Sequence, residues 1–523
     1  MTSGGNNQRR RRLGRGLLRS AAAALVLIAF GVAASAAAAA PQFNIVSQGT
    51  FPTNPPANVH YFNTIQKAVN ASTSPGDYVL IKNGVYTEEV KVGPAQSGIW
   101  IRGMNRNKVI LDGQWTVGNG IEINDANNVW VENLTVRNFE FGGGCQVEEC
   151  GNDIWWNGRE PGKKTVNAHG WYGEYLTAYT SANPSNPEDG KKGGYGIFTG
   201  SETEGKWNNI YASGFADSGI YVGACQECNA TIKNAVMEDN ALGYSGSNAG
   251  GKLVIERSTF AHNTVGIAPN SENPGDPPPP QDGECGRPNI EEPNPTPTIS
   301  STKVKRCTVL RGNKIVDNNN LEVPPNGSTE VAPWGVGVEL PGDYADLVEN
   351  NTISGNPNAG VLGFEYPNPF PLFPGAENTI DFQLSGNRIS SNTFSGNGYN
   401  TNNPVPFQGD IDLFSGAGQW LNENYGFSFP PTQSTNNCVV SNRYSNPAQP
   451  VTFPANIQGT WSCANNTTPN PGGGELAVDY LIGNLEEARL YREAVPPVAQ
   501  QAPPEQPTMP NACMGVPKYA CPS

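Results

Sequence analysis

The sequence is poor in positive charge and in histidine. Among 523 residues, 33 are Lys or Arg, 47 are Asp or Glu and 3 are His, and the formal net charge is −14 at pH 7. Phosphate backbones are bound through clustered Lys and Arg, so we expect no nucleic-acid partner. A polyanionic glycan would also be repelled, unless Ca²⁺ bridged its carboxylates. Acidity of this kind is also an ordinary solubility feature of exported proteins.

Long apolar runs are missing beyond the first forty residues. There, the basic stretch Arg9–Arg12 precedes the apolar stretch Ala21–Val32 and the small-residue triplet Ala34–Ala36. This order predicts that residues 1–40 are a secretory signal peptide and that the mature protein is secreted without a membrane span. Sec and twin-arginine export both stay open. Removing 6 Arg leaves 27 basic (33 − 6) against 47 acidic residues, a net charge of −20.

Stretches with helical periodicity are also rare, and a repeat takes their place. Gly196, Gly219, Gly243 and Gly266 recur at nearly equal spacing, and Gly337 and Gly360 share it. Between the glycines lie short runs of Val, Ile, Phe and Tyr bounded by Asn, Gly, Ser and Asp, which is typical of strands and turns. The pattern predicts an all-β solenoid, a parallel β-helix with coils of about 23 residues.

The repeat also predicts which side chains face inward. We expect buried side chains at Ile121, Ile197, Ile220 and Ile267. Residues that follow them alternate to the other face, as in any strand. We expect an outward column of Glu122, Phe198, Tyr221, Ser245 and Ala268. Stacked amides at one turn are expected from Asn133, Asn234 and Asn351.

The first coil carries three recognisable segments. They are Thr64-Ile65-Gln66-Lys67-Ala68-Val69, Pro75-Gly76-Asp77 and Gly84-Val85-Tyr86-Thr87-Glu88. Together with the repeated phrases, they resemble the opening of the right-handed parallel β-helix (pectate-lyase-like) superfamily, over about residues 60–400. Residues Thr64–Ala71 are predicted to form a short capping helix with Asn63 as its N-cap, and such a helix belongs to the usual opening of that superfamily. Activity is not implied, because the superfamily includes pectate lyases, mannuronan epimerases, glycoside hydrolases and non-catalytic surface proteins.

Composition shifts divide the rest of the chain. We expect the β-helix domain to span residues 41–464, with loop insertions at about 141–195, 269–300 and 367–376. Residues 465–523 are expected to form a linker, an amphipathic helix at Glu475–Ala494 and a Pro-rich tail. Whether that helix packs on the solenoid or caps its far end stays open.

The ten cysteines fall in sequence-close pairs, which indicates disulfides in an exported chain. We expect Cys145 to pair with Cys150, Cys225 with Cys228, Cys285 with Cys307, Cys438 with Cys463, and Cys513 with Cys521. A zinc site formed by the first two pairs is the alternative.

The resemblance implies a functional groove along the outward face of the first strand. For substrate binding we expect Trp171, Tyr172, Phe198, Tyr221 and Glu122, although aromatic residues equally serve packing. For catalysis, the candidates are Asp217, His169 and Glu174, as a carboxylate pair and a general acid or base. Asp217, Glu238 and Asp239 alternatively suit a Ca²⁺ site, and each of these residues also suits an ordinary turn.

These observations predict a carbohydrate-active protein, a lyase or hydrolase of extracellular or cell-wall polysaccharide. The alternative is a non-catalytic surface or adhesion solenoid that binds glycan or protein. An accessory role in metal-site assembly is disfavoured by the scarcity of His and Met. The motif sets of polygalacturonases and mannuronan epimerases are missing from the sequence, and no Lys or Arg is clearly positioned as a lyase base.

Overall fold

The structure is a computed structural model. It describes the following residues: 40–146, 149–158, 168–183, 185–186, 192–271, 280–289, 303–322, 332–365, 383–400, 402, 409–416, 423–424, 434–445, 451–463, 470, 473–494 and 500–522. The chain divides into two compact units, Met1–Ala40 and Pro41–Ser523. The predicted signal peptide and the predicted insertion at 367–376 lie outside the described residues. In the described part, no helix is both long and apolar enough to cross a membrane.

The described residues are mostly strands, which we number in chain order. They are β1 Phe43–Val46, β2 Val59–Phe62, β3 Tyr78–Ile81, β4 Gly84–Tyr86, β5 Val90–Val92, β6 Trp100–Gly103, β7 Val109–Val117, β8 Ile121–Asn124, β9 Val129–Glu140, β10 Ile154–Asn157, β11 Ala168–His169, β12 Trp171–Tyr179, β13 Tyr195–Gly200, β14 Glu202–Thr203, β15 Lys206–Asn208, β16 Tyr211–Ser213, β17 Ser218–Gly223, β18 Ala230–Lys233, β19 Val236–Glu238, β20 Leu242–Ser247, β21 Leu253–Glu256, β22 Thr259–Ala261, β23 Val265–Asn270, β24 Thr308–Arg311, β25 Lys314–Val316, β26 Val336–Pro341, β27 Leu347–Glu349, β28 Thr352–Ser354, β29 Ala359–Phe364, β30 Arg388–Ser390, β31 Thr393–Ser395, β32 Gly409–Leu413, β33 Cys438–Val440, β34 Arg443–Tyr444 and β35 Thr452–Phe453.

Helices are few among the described residues. They are α1 Ile65–Ala71, α2 Ile457–Thr460 and α3 Gly474–Ala494, with 3₁₀ turns at Pro94–Gln96 and Pro280–Asp282. The N-cap of α1 is Thr64, whose hydroxyl accepts from the Lys67 N–H, and not the predicted Asn63. This choice satisfies an otherwise orphaned backbone donor. The buried face of α1 packs into the core of the first coil, as expected for a capping helix.

The strands form a parallel β-helix. Sheet 2 has eleven strands, which are β5, β8, β10, β13, β17, β20, β23, β26, β29, β32 and β35. Sheet 3 is the pair β11 and β14, and sheet 1 contains the other 22 strands. A typical coil, β17 to β19, contributes one strand to sheet 2 and two strands to sheet 1. Because each strand pairs in parallel with its equivalents in the neighbouring coils, the predicted solenoid is confirmed.

Strand register explains the glycine period. Ile197 pairs with Ile220, Ile220 with Tyr244, and Tyr244 with Ile267, so each pairing advances by the same spacing as the glycines. These side chains are buried in one continuous core. Coils that carry loops are longer, as where Ile255 pairs with Leu310, more than twice as far along the chain.

The segment 141–195, predicted to be an insertion, contains a coil of the solenoid. Its strand β10 pairs with β8 and β13, and its strand β12 pairs with β9 and β15. Trp156 and Trp171 fill the core at positions where other coils carry aliphatic residues. A sequence pattern based on Val and Ile therefore did not identify this coil, because large aromatic side chains occupy its core positions.

Asparagine ladders connect the coils at their turns. One ladder comprises Asn240, Asn263, Asn318, Asn356 and Asn397. A second comprises Asn313, Asn351, Asn392 and Asn442. In each ladder, the side-chain oxygen of one coil accepts the backbone N–H of the preceding coil. Buried backbone donors between strands are satisfied in this way.

The predicted stack of Asn133, Asn234 and Asn351 needs a correction. Lys233 aligns with Glu349 through Glu256 and Arg311, so Asn234 corresponds to Asn350 and not to Asn351. Asn133 and Asn234 are left-handed, with φ of 56° and 52°. The turn has two consecutive positions with different roles. The first, as at Asn350, is left-handed, a conformation that Asn tolerates, and the second, as at Asn351, belongs to the asparagine ladder.

The C-terminal helix packs on the side of the solenoid. Ala477 and Tyr480 of α3 bury against Leu362, Phe364 and Phe414 on the outer face of sheet 2. This answers the question that the sequence left open.

The tail after α3 returns to the first coils. The Met509 N–H donates to the Asn133 side chain at 2.8 Å, and Ala520 packs with Phe43 and Leu80. The tail therefore contacts the first coils, whereas α3 packs on later coils.

All five predicted disulfides are present, and none of the ten cysteines is free. Because Cys145 is bonded to Cys150 and Cys225 to Cys228, the alternative zinc site does not form. The other three bonds join Cys285 to Cys307, Cys438 to Cys463, and Cys513 to Cys521.

Candidate functional site

The three predicted catalytic residues lie in or beside three different sheets. His169 is exposed in β11 of sheet 3, and its backbone N–H donates to the Asn127 side chain at 3.0 Å. Glu174 in sheet 1 forms an ion pair with Lys206 at 2.5 Å. Asp217, directly before β17 of sheet 2, is 1% exposed and accepts from the Ser218 hydroxyl at 2.7 Å. None of these contacts joins one of the three residues to another, and their shared catalytic role stays a prediction.

Two of the predicted substrate-binding residues, Trp171 and Tyr172, lie in β12, where Trp171 is buried and Tyr172 is half-buried. Trp171 is 0% exposed and contacts Trp207 in the core, with ring centroids 4.5 Å apart. Tyr172 stacks on Trp130 at 4.4 Å. A fully buried indole cannot contact a bound ligand, so Trp171 is corrected from a binding residue to a core residue.

The outward column of sheet 2 exists as predicted. Glu122 pairs with Trp155, Trp155 with Phe198, and Phe198 with Tyr221. The Trp155 and Phe198 rings stack at 5.2 Å, and Phe198 and Tyr221 are each 7% exposed. Glu122 accepts from Asn124 at 2.9 Å. Because the rings face one another, little ring surface is left for a ligand, and substrate contact by this column stays a prediction.

The predicted Ca²⁺ residues do not form a metal cluster. Among the described residues, no group of three or more His, Cys, Asp or Glu side chains is arranged to hold a metal ion. Asp217 is buried beside Ser218, whereas the Glu238 carboxylate lies 3.4 Å from the Tyr211 hydroxyl. Asp239 instead lines a cleft that the sequence did not predict.

This cleft, which we call the helix cleft, lies between the solenoid turns and α3. Its volume is about 710 Å³, within the range typical of ligand sites. Asp239 follows β19, and His262 follows β22 in the next coil. Both are left-handed, with φ of 57° and 55°. Asp and His tolerate that conformation, which is why the turn can hold them.

Aromatic side chains form part of the cleft wall. Tyr399, after β31, is 55% exposed, whereas Trp334 is only 9% exposed. Trp334 packs with Leu321 and with Ala488 of α3, and Tyr491 covers this cluster. Tyr399 therefore presents an exposed ring in the cleft, next to the buried apolar cluster of Leu321, Trp334 and Ala488.

Carboxylates and amides form the polar wall. Glu487 of α3 accepts from Asn400 at 2.8 Å and from the Trp334 indole N–H at 3.3 Å. Glu322 accepts from the Tyr491 hydroxyl at 3.1 Å. These bonds tie α3 to the solenoid and hold the carboxylates in defined orientations.

The acidic residues of the turn are electrostatically coupled to His262. Asn320 donates to Asp239 at 3.1 Å. Partial burial raises the pKa of Asp239, and the neighbouring His262 opposes this shift. Burial also raises the pKa of Glu238, and the charge of Asp239 adds to the effect. Groups with raised carboxyl pKa values next to an imidazole can serve proton transfer.

Sequence reasoning missed most of this cleft. One signal was available, because Asp239 and His262 are one coil apart, at the same spacing as Gly243 and Gly266. The sequence pattern places His262 in a coil turn, where a structural role is the simpler interpretation. No sequence pattern relates Tyr399 or Trp334 to α3, since their contacts depend on where the helix docks.

No protein-family model and no curated protein sequence matches this chain. In structure, the chain is similar to the mannuronan C-5 epimerase A-module of Azotobacter vinelandii, with a TM-score of 0.40, 13% identity, and coverage of 73% of this chain and 90% of that chain. It is also similar to a mannuronic acid-specific family 6 polysaccharide lyase from human gut microbiota, with a TM-score of 0.37, 12% identity, and coverage of 82% and 98%. A pectin methylesterase from Erwinia chrysanthemi has a TM-score of 0.33, 13% identity, and coverage of 53% and 80%. The chain is a parallel β-helix protein, an assignment that rests on its own strand pairings.

Proposed function

We propose that this protein is a secreted, carbohydrate-active protein that binds extracellular or cell-wall polysaccharide in the helix cleft. The observation that carries the proposal is the combination, in one cleft of about 710 Å³, of an exposed tyrosine ring with carboxylates and amides. A sugar presents an apolar ring face and a rim of hydroxyl groups. Tyr399 suits the ring face, and Asn400 and Glu487 suit the hydroxyls.

Within this proposal, hydrolysis is favoured over β-elimination. A lyase needs a base that removes a proton next to a uronate carboxylate, and Lys or Arg often serves this role. Among the described residues that line the cleft, none is Lys or Arg. The acids Asp239, Glu322 and Glu487 instead offer the paired carboxylates on which glycoside hydrolysis depends.

A non-catalytic glycan-binding protein is the second candidate. The observation in its favour is that each cleft carboxylate already accepts a hydrogen bond from a neutral donor on the protein. Such bonds suit fixed recognition groups as well as they suit catalysis.

Export is supported by the predicted signal peptide and by the five disulfides, which persist in oxidising compartments.

We expect Tyr399→Ala to lose glycan retention while the fold is kept, because the side chain is 55% exposed. The measurement is retention on a panel of immobilised polysaccharides, together with assays for new reducing ends and for the ultraviolet absorbance of unsaturated products, with and without Ca²⁺. A loss of about tenfold or more in affinity is expected when a stacking ring is removed.

The matched control is Tyr519→Ala, since Tyr519 is 57% exposed but contacts Phe43 in the first strand. New reducing ends would support a hydrolase, and retention without products would support the binding protein. Equal retention by the Tyr399 and Tyr519 variants would rule out the helix cleft as the binding site.

A further inference from the structure

We infer that the helix cleft selects a glycan that carries protonated amino groups, such as a polymer of glucosamine, over neutral and anionic glycans. The inference rests on the proposed function and names the substrate class of that same site. Its basis is the charge of the cleft, where Asp239, Glu322 and Glu487 face one space.

The hydrogen-bond partners of the three cleft carboxylates are uncharged. Some acids of the chain are neutralised by cations, as in Glu132 with Arg102 and Glu174 with Lys206. In the cleft, the hydrogen-bond donors are neutral: an amide for Asp239, a phenol for Glu322, and an amide and an indole for Glu487. A hydrogen bond from a neutral donor orients a carboxylate but leaves its charge uncompensated.

The only basic group that lines the described part of the cleft is His262, beside Asp239. One imidazole cannot balance three carboxylates, so the cleft keeps a negative potential at neutral pH. A cleft with walls of one charge sign concentrates ligands of the opposite sign. The excess of 47 acidic over 33 basic residues in the chain reinforces this field.

Glycan classes differ in charge on similar rings. A glucosamine unit carries an ammonium group, an N-acetylglucosamine unit is neutral, and a galacturonate unit carries a carboxylate. An ammonium group supplies three donors to the carboxylates that the cleft presents. A uronate would place like charges together, which disfavours binding. Stacking on Tyr399 would be common to all three classes, so charge alone decides among them.

The test is calorimetric titration of the mature protein with three oligosaccharides of equal length, built from glucosamine, N-acetylglucosamine or galacturonate. We expect the glucosamine oligomer to bind about tenfold more tightly than the N-acetylated one, and this preference to shrink as salt rises. The galacturonate oligomer is expected not to bind. Glu322→Gln and Glu487→Gln should each weaken binding of the glucosamine oligomer severalfold more than binding of the N-acetylated oligomer, and Glu505→Gln in the exposed tail is the control.

The outcomes separate the two proposals. Equal affinity for the amino and N-acetyl oligomers, or tighter binding of galacturonate, would overturn charge selection. If that binding is nevertheless lost in Tyr399→Ala, glycan binding in the cleft survives. If none of the three oligomers and no polysaccharide of the panel binds, both proposals fail. An unchanged preference in both carboxylate variants would also overturn the inference.

Discussion

Asn318→Ala is expected to lower the free energy of unfolding by about 4 kcal/mol, because it leaves buried backbone groups of neighbouring coils without partners. The Asn318 side chain is 0% exposed. Its oxygen accepts the Asn263 backbone N–H at 3.3 Å, and its amide donates to the Phe260 carbonyl at 3.2 Å. Each unsatisfied buried group costs roughly 1–3 kcal/mol, and the side-chain oxygen of the neighbouring Asn356 also loses a donor.

The measurement is equilibrium unfolding in urea, with hydrogen exchange to locate the damage. In a solenoid each coil contacts only its neighbours, so we expect faster exchange in the coils around β22, β25 and β28 than at the ends. Asn319→Ala is the matched control, since Asn319 is the next residue and is exposed. A difference below about 0.5 kcal/mol between the two variants would mean that the ladder does not stabilise the stack.

Raising the pH from about 5 to about 8.5 is expected to lower the melting temperature, through acids buried beneath α3. Glu339 and Asp412 belong to the outward column of sheet 2, separated by Leu362. Tyr480 of α3 packs on this face, and both carboxyls are buried. Burial raises the pKa of Glu339 to about 8 and raises the pKa of Asp412 well above its ordinary value.

The direction in which stability changes with pH follows from the difference in proton binding between the folded and unfolded chains. A carboxyl whose pKa is higher in the folded chain binds its proton more tightly there, so its contribution is complete below the unfolded pKa of 4.5. That stability is lost as the pH rises through about 8, where Glu339 would ionise beneath the helix. The free energy of unfolding is expected to fall by several kcal/mol, since one pKa unit corresponds to about 1.4 kcal/mol.

Further buried acids act in the same direction. Burial also raises the pKa values of Asp153, Glu202, Asp343 and Asp346. Glu339→Gln isolates the contribution of one site, because glutamine keeps the shape and cannot ionise. We expect its melting temperature to depend less on pH than that of the parent, as followed by circular dichroism. Glu475→Gln, on the exposed side of α3, is the control. Parallel pH profiles for Glu339→Gln and the parent protein would contradict this account.

The asparagine ladder and the contact of α3 with sheet 2 differ in whether they repeat along the chain. The asparagine ladder joins equivalent positions of successive coils, and its members share a sequence spacing. The contact between Tyr480 and the outer face of sheet 2 joins a non-repeating helix to the solenoid, and no regular sequence spacing predicts this contact.

Much of the fold could be predicted because a solenoid repeats its local rules. The regular spacing of glycines corresponded to strand register, and Ile197 and Ile220 were buried as expected. Sequence-close cysteines paired as predicted, and even the widest pair, Cys438 with Cys463, has a sequence separation of only 25. The predicted asparagine stack was wrong by one residue, since Asn234 corresponds to Asn350 and not to Asn351. The coil that contains Trp156 and Trp171 was predicted to be an insertion, because aromatic residues there replace the aliphatic pattern.

The candidate site could not be predicted in the same way. Its walls come from turns of several coils and from α3, and the bond between Trp334 and Glu487 joins residues 153 positions apart. The sequence by itself determined the parallel β-helix, its core and its disulfides, because those depend on stacking between neighbouring coils. Only the tertiary structure decided where α3 and the tail dock, and hence where the helix cleft lies. These long-range contacts follow no sequence period. They depend on complementary surfaces, and those surfaces exist only after the coils have stacked.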